Sequence, residues 1–212
     1  PIHDRLVKAG GYFRDVSGWE SPGWFAPEGV EPKVDKHSFG RENWFDYWRA
    51  EHEATRNGVI VMDMSFMAKF LVQGRDAGRV LERLSANRVD GESGRITYTQ
   101  WLNEGGGIEA DLTVTKLEDG NYWVVASDTA HRHVETILRR AVEPEHAFVT
   151  DVTGGWGQIN IQGPKSRELM QTVTRTDMSN EAFAFRDARE IAIGYARVLC
   201  VRITYLGELG YE

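Results

Sequence analysis

The sequence predicts an α+β protein built on antiparallel sheets, and three observations support that prediction. Short β-branched and aromatic runs alternate with helical patterns along the 212 residues. Glycine-rich turns separate neighbouring strand patterns, as antiparallel hairpins require. A strand–helix unit also occurs twice, with Phe70 of the first copy and Ile159 of the second 89 residues apart. Duplicated strand–helix units therefore form the core of the predicted fold.

The elements follow from local periodicity. A three- and four-residue spacing of aromatic side chains predicts a helix over 41–57, with Gly58 as its C-cap. Alternating β-branched residues predict strands at 59–62, 66–72, 96–102, 108–117 and 122–126. The turns 105–107 and 118–121 join the last three of these strands into a meander. A second helix is predicted over 130–140, and a hairpin over 189–193 and 197–205.

The two repeat copies have the same Gln-Gly break between strand and helix. A strand ends at Gln73-Gly74 in the first copy and at Gln162-Gly163 in the second, and a short amphipathic helix follows each. Pro164 suits the first position of the second helix, where no backbone donor is needed. The repeat indicates duplication and layered packing, and by itself indicates no chemistry.

The first forty residues have a different character. Residues 18–29 show neither a helical nor a strand period, so we expect an ordered loop held by aromatic side chains. Four of the seven tryptophans lie among the first fifty residues, and we expect them to pack a core rather than bind a ligand. Residues 1–40 are therefore interpreted as a lead-in, and 41–212 as the main domain, truncated at its C-terminal side.

Composition excludes several classes of protein. The formal charge of −7, without a basic run, argues against a nucleic-acid partner. No apolar stretch is long enough to span a membrane, and no signal-peptide pattern opens the chain. The single cysteine, Cys200, lies in an apolar strand pattern and is predicted to be core rather than a nucleophile. A reducing compartment is expected, either a bacterial cytoplasm or a mitochondrial matrix.

Metal and dinucleotide sites are not predicted. His131 and His133 are two residues apart in a predicted helix, so their side chains point in different directions. A Gly105-x-Gly107-x-x-Ala110 spacing resembles a dinucleotide fingerprint, but the residues that follow form a strand pattern and not a helix. Flavin and nicotinamide binding are therefore not expected within these residues.

Asp111 is the first candidate functional residue. Strand alternation places Ile108, Ala110, Leu112 and Val114 on one face, and Asp111 with its polar neighbours on the other. That polar face is typical of a solvated antiparallel sheet. A carboxylate held on a rigid strand facing a cleft is the functional alternative, because it could accept a proton or stabilise a cation.

Tyr205 and Glu212 flank a glycine-rich turn at the end of the chain. Gly207 and Gly210 allow the backbone to turn tightly and to approach a ligand closely. A carboxylate beyond such a turn could accept two parallel hydrogen bonds from an amino-pyrimidinone edge, and Tyr205 could supply a ring face or a hydroxyl. A plain glycine-rich hairpin with a strand-face tyrosine is the alternative.

Taken together, these motifs resemble the folate-binding aminomethyltransferase family. The family includes the glycine-cleavage T-protein and the C-terminal regions of dimethylglycine and sarcosine dehydrogenases, to which the opening and the Glu109–Val114 segment are most similar. The matching landmarks run in a fixed order along nearly the whole chain: 4–6 with 9–10, 38–45, 63–65 with Lys69 and 72–74, 103–114, 163–166 and 202–212.

The resemblance implies specific roles. Asp111 would lie beside the reactive nitrogen of tetrahydrofolate, Tyr205 and Glu212 would hold the pterin, and the backbone of Val125 would line the same pocket. The implied reaction transfers an iminium or aminomethyl carbon from a small N-methylamine-derived iminium and gives 5,10-methylenetetrahydrofolate. FAD would belong to a separate dehydrogenase domain that is not in this chain.

Three interpretations of the whole stay open. The first is the C-terminal part of a demethylating dimethylglycine or sarcosine dehydrogenase, which traps the one-carbon unit. The second is a stand-alone folate-dependent aminomethyl or methyl transferase that needs no flavin. The third is a non-catalytic relative that binds folate or packs against a partner. The chain breaks off after a turn at Glu212, which we interpret as a fragment lacking the family's C-terminal half.

Overall fold

The computed structural model describes residues 2–34, 37, 39–117 and 120–212. Glu118 and Asp119 of the predicted turn, and Ser38 of the opening motif, lie outside the described residues. The helices are α1 (His3–Lys8), α2 (Phe45–Asn57), α3 (Ala77–Leu84), α4 (His131–Val142) and α5 (Ser166–Val173). The strands are β1 (Gly11–Val16), β2 (Trp19–Phe25), β3 (Ile60–Asp63), β4 (Ala68–Gln73), β5 (Arg95–Leu102), β6 (Ile108–Lys116), β7 (Tyr122–Ala126), β8 (Phe148–Asp151), β9 (Ile159–Gln162), β10 (Ala188–Ile193), β11 (Ala196–Val201) and β12 (Gly210–Tyr211).

The described strands form four sheets, and every described pair is antiparallel. A five-stranded sheet has the order β5-β6-β7-β4-β8, and a three-stranded sheet has the order β12-β9-β3. The pairs β1-β2 and β10-β11 form separate hairpins. The predicted α+β class with antiparallel sheets is therefore confirmed.

The main core lies between the five-stranded sheet and helices α3 and α4. Phe70 and Val72 of β4 are fully buried there with Leu81 of α3 and Leu138 of α4. Along β6, Ala110, Leu112 and Val114 are buried, as strand alternation predicts. Ile108 was expected on the same face but is 68% exposed, because the register shifts between Trp101 and Leu102 and the hairpin end extends past the core.

The two repeat copies have the same geometry. Helices α3 and α5 each have eight residues and begin 89 positions apart. Gly74 and Gly163 have φ angles of 126° and 127°, and each accepts a backbone hydrogen bond from the residue three positions later. Pro164 was expected to begin α5, but the helix begins at Ser166. Pro164 instead occupies the second position of a β-turn closed by the bond from Ser166 N to Gly163 O, where its fixed φ is equally suitable.

The hairpin of β10 and β11 is shorter than predicted. Its second strand was expected to reach Tyr205 but ends at Val201. Arg202 still exchanges backbone hydrogen bonds with Arg186 and Asp187, but the chain turns at Arg186, whose φ is 72°, and the pairing ends there. Residues 203–205 are thereby released from the hairpin.

The N-terminal segment forms a hairpin rather than the expected loop. Within the 18–29 segment, Trp19–Phe25 form β2, which pairs with β1. Its period is hidden because the register shifts between Tyr12 and Phe13, opposite Pro22. Trp24 is buried and stacks on Tyr12, Trp44 and Tyr47. The division of the chain at residue 40 stays a prediction.

Gly163→Ala should lower the free energy of unfolding by about 3 kcal/mol. The added Cβ would lie 2.4 Å from the carbonyl oxygen of Gly58, in a backbone conformation that disfavours side chains. Urea unfolding followed by circular dichroism measures the change. In the matched control Gly91→Ala nothing lies within 4 Å of the added Cβ, so we expect a change of no more than about 0.5 kcal/mol. Equal stabilities of the two variants would contradict the steric argument.

Candidate functional site

A cavity of about 1020 Å³ opens between the five-stranded sheet and the three-stranded sheet. One wall comes from β5, β6 and β7, and another from residues 64–67 with Gln158 and Asn160. Residues 203–205 and Glu212 also line it, as do Asn87, Arg88, Ser127, Asp128, Phe185 and Arg186. All four residues predicted from the sequence line this cavity: Asp111, Val125, Tyr205 and Glu212.

Asp111 faces the cavity from β6 and is exposed to it. The hydroxyl group of Tyr98 donates a hydrogen bond to Asp111 Oδ2, and Oδ1 has no hydrogen-bond partner among the described residues. This hydrogen bond, together with burial, raises the pKa of the Tyr98 phenol. Tyr98 thus holds one oxygen atom of the Asp111 carboxyl group, and the other oxygen atom is left without a partner among the described residues at the cavity surface.

Glu212 contributes the second carboxyl group of the cavity. Its Oε1 accepts a hydrogen bond from Asn160 Nδ2 at 3.0 Å, and its Oε2 accepts one from Gln158 Nε2 at 3.2 Å. No described lysine or arginine forms an ion pair with it. Burial raises the pKa of Glu212 to about 7, and the hydrogen bond from Asn160 opposes part of that rise.

Tyr205 and Val125 lie at different depths. Tyr205 is 91% exposed, at the mouth of the cavity. Val125 is half-buried on β7, between Thr113 of β6 and Lys69 of β4. The structure thus brings the four predicted residues to one cavity, and their roles stay predictions.

Sequence reasoning missed three of the polar residues at this site. Tyr98 could have been found from hairpin register, because Gln100 pairs with Asp111 and strand alternation places Tyr98 on the same face as Gln100. Gln158 and Asn160 could not, because their position beside Glu212 depends on pairing between β9 and β12. No local pattern encodes such a contact.

Two histidines outside the cavity lining form hydrogen bonds with carboxylates. His131 Nε2 lies 2.8 Å from Asp151 Oδ2, and His133 Nε2 lies 2.7 Å from Glu109 Oε2. The two histidines therefore contact different carboxylates. In the described part of the chain, one group could gather around a metal ion, formed by His131, Glu135 and Asp151. The carboxylate of Glu135, however, is already bound by Arg132 and Arg139.

Cys200 is buried beside the second hydrophobic core, formed around Met170, Met178 and Phe183. Burial raises the pKa of its thiol to about 12, which disfavours the nucleophilic thiolate. In the described part of the chain, no helix is both long enough and apolar enough to cross a membrane.

Comparisons with known proteins show which family the chain resembles. The chain is 39% identical, over its whole length, to a 4-methylaminobutanoate oxidase (formaldehyde-forming) of Paenarthrobacter nicotinovorans, of which it covers 26%. It is 31% identical, again over its whole length, to the mitochondrial sarcosine dehydrogenase of Homo sapiens, of which it covers 27%. The chain therefore spans about a quarter of the length of these relatives.

Solved structures support the same fold. The glycine cleavage system aminomethyltransferase T from Bartonella henselae matches with a TM-score of 0.76 at 21% identity, over 100% of this chain and 51% of that one. The sequence model of the GCVT N-terminal domain matches residues 2–212. The resemblance that the motifs indicated is thereby confirmed, and the chain belongs to the GCVT N-terminal domain family.

Proposed function

We propose that this chain binds tetrahydrofolate and catalyses one-carbon transfer from an iminium to give 5,10-methylenetetrahydrofolate. The observation that carries this proposal is that two carboxyl groups, those of Asp111 and Glu212, line one cavity. They come from different sheets and have different surroundings. One carboxyl group can therefore orient a ligand while the other acts on its reacting atoms.

Glu212 fits the amino-pyrimidinone edge of a pterin. Its carboxyl group is partly buried without a cationic partner among the described residues, and removing a carboxylate from water is costly unless donors satisfy it. The side-chain amides of Asn160 and Gln158 supply one donor to each oxygen. An N–H pair from a ligand would complete the set, and the exposed ring of Tyr205 would cover the ligand at the mouth.

Asp111 fits the chemistry of the transfer. Bound tetrahydrofolate would supply two N–H nitrogens that take the iminium carbon, and the two hydrogens they lose would leave on the released amine. The carboxylate of Asp111 stabilises the cationic carbon and accepts a proton at Oδ1, because Oδ2 is held by Tyr98. Tyr98 thereby orients the carboxylate, and the strand that carries Asp111 keeps it in place.

The relatives indicate the setting of this activity. One of them is named a sarcosine dehydrogenase and another a formaldehyde-forming oxidase, and both are about four times longer than this chain. We therefore favour a domain that captures the one-carbon unit beside a separate FAD-containing dehydrogenase domain, acting on a small N-methylamine. The expected compartment is a bacterial cytoplasm or a mitochondrial matrix, consistent with the word mitochondrial in one relative's name.

The stand-alone transferase and the non-catalytic relative remain the alternatives. A flavin domain encoded in the same reading frame would exclude the first. The second predicts that substitution of Asp111 changes no activity.

Asp111→Asn should leave ligand affinity within about threefold of wild type and lower the catalysed rate about 10²–10⁴-fold, because the charge and the proton acceptor are lost while the shape is kept. Affinity is measured by calorimetric titration with 5-formyltetrahydrofolate. Formaldehyde and glycine are mixed to form an iminium in solution. The rate is the formation of methylenetetrahydrofolate from that iminium and tetrahydrofolate, after subtraction of the uncatalysed reaction. Glu109→Gln is the matched control, since Glu109 lies on the same strand but contacts His133 outside the cavity. An unchanged rate in Asp111→Asn would support the non-catalytic alternative.

Affinity should also depend on pH through Glu212. Its pKa is raised to about 7 in the free protein, and ligand N–H donors favour the anionic form. Binding should therefore weaken about tenfold for each pH unit below 7, as the carboxyl group becomes protonated. Titrations with 5-formyltetrahydrofolate between about pH 5.5 and about pH 7.5 measure this limb. Glu212→Gln should bind more weakly at about pH 7.5, and its affinity should no longer fall as the pH is lowered. If the variant keeps the full pH dependence of affinity, another group titrates.

A further inference from the structure

Lys69 is a charged residue in the interior of the five-stranded sheet. It lies on β4 between β7 and β8 and is 2% exposed. Its ammonium group donates hydrogen bonds to the carbonyl oxygens of Ser65 at 2.9 Å and Met67 at 2.6 Å. A lysine is almost never buried to this extent without a structural or functional reason.

The two carbonyl groups belong to the cavity turn, which we define as residues 64–67. Side chains of Met64, Phe66 and Met67 in this turn line the cavity. The turn is closed by a bond from Met67 N to Met64 O, and Asp63 accepts a bond from Ser65 N. The ammonium group of Lys69 thus holds the turn from the side of the sheet, and the turn presents its apolar side chains to the cavity.

Gln158 holds the same turn from the opposite side. Its backbone N–H donates to Ser65 Oγ at 3.0 Å, and its carbonyl oxygen accepts from Met64 N at 2.9 Å. Its side-chain amide continues to Glu212. Gln158 follows Lys69 by 89 residues, so the two residues occupy equivalent positions in the two repeat copies. The cavity turn is therefore clamped between equivalent points of the duplicated units.

A neutral side chain would fill the position of Lys69 at a lower desolvation cost. Two carboxylates, of Asp63 on β3 and Asp151 on β8, attract the ammonium group, but neither forms an ion pair with it among the described residues, and Asp151 is also bound by His131. Burial lowers the pKa of Lys69 to about 8, against the attraction of the two carboxylates. In some proteins a buried charged group lowers stability but secures one arrangement over others.

We infer that Lys69 is a positioning residue of the cavity, whose ammonium group fixes the cavity turn and through it the wall against which the ligand binds. This inference rests on the proposed function, because the ligand used to test it is a folate. It extends the site to a residue that touches neither Asp111 nor Glu212. Lys69 acts through the turn and needs no contact with the ligand.

The test compares Lys69→Met with wild type in the full chain. Calorimetric titration with 5-formyltetrahydrofolate at about pH 7.5 should show affinity weaker by about tenfold. Hydrogen exchange of the free protein should be faster for the amide of Met67, whose acceptor lies within the turn. Lys116→Met is the matched control, since Lys116 lies on β6 of the same sheet and contacts Asp90 outside the cavity. It should bind like wild type.

The pH profile separates a positioning role from a loss of stability. Wild-type affinity should fall as pH rises through about 8, because the ammonium group that holds the turn loses its proton. Lys69→Met should be weak and insensitive to pH in that range. The titratable groups that face Lys69 are Asp63 and Asp151, with His131 bound to Asp151.

Each outcome decides the inference. Wild-type affinity in Lys69→Met would overturn it, and so would wild-type affinity that stays constant up to about pH 9.5. If Lys69→Met fails to fold, the alkaline limb of wild-type binding decides, because it is measured on the unchanged protein. Absence of binding by wild type would overturn the proposed function, whereas binding by wild type and Lys69→Met alike overturns this inference alone.

Discussion

The pairing of β3 with β9 is the constraint on which the cavity depends. Met62 of β3 lies opposite Asn160 of β9, and β12 pairs with the other side of β9. Because of this ladder, the turn that follows β3 lies against Gln158, and Glu212 lies at the end of β12 beside Asn160. The five-stranded sheet supplies Asp111 without help from the second half. The opposite wall exists only when the two strand–helix units are joined.

The two carboxyl groups of the cavity differ because their surroundings differ. Asp111 is exposed on a sheet surface and receives a phenol hydroxyl. Glu212 is enclosed and receives two neutral amides, so burial dominates and its pKa rises. Arginine side chains also line the cavity, and the guanidinium group of Arg186 is bound to Ile96 O and Thr97 Oγ1. One fold thus gives two side-chain carboxyl groups of the same cavity different surroundings.

Much of the fold could be predicted because it is local. The β5-β6 hairpin, the burial of Ala110 and Leu112, and the repeat around Gly74 and Gly163 all follow from period and turn chemistry. Irregularities caused the errors. A register shift concealed β2, another exposed Ile108, and a positive φ at Arg186 ended β11 early. Each of these depends on a partner strand that no single segment specifies.

The candidate site was predictable only in part, for the same reason. Alternation indicated which face carries Asp111, whereas Glu212 was chosen from a resemblance between motifs and not from its surroundings. Lys69 appeared as one landmark among many, and nothing in its neighbourhood in the sequence indicates that its ammonium group is buried. Its partners lie only a few residues away, but the burial comes from β7 and β8, which follow much later in the chain.

The wide separation of β3 and β9 along the chain has a consequence for assembly. Contacts that close long loops form late, whereas hairpins such as β5-β6 and β6-β7 close quickly. The β5-β6-β7 part of the sheet, which carries Asp111, can therefore form while the ladder Ile60–Asp63 to Ile159–Gln162 is still open. A chain arrested at that stage has the Asp111 carboxyl group in place and no chamber around it. We therefore expect the enclosure to appear after the strand that carries Asp111.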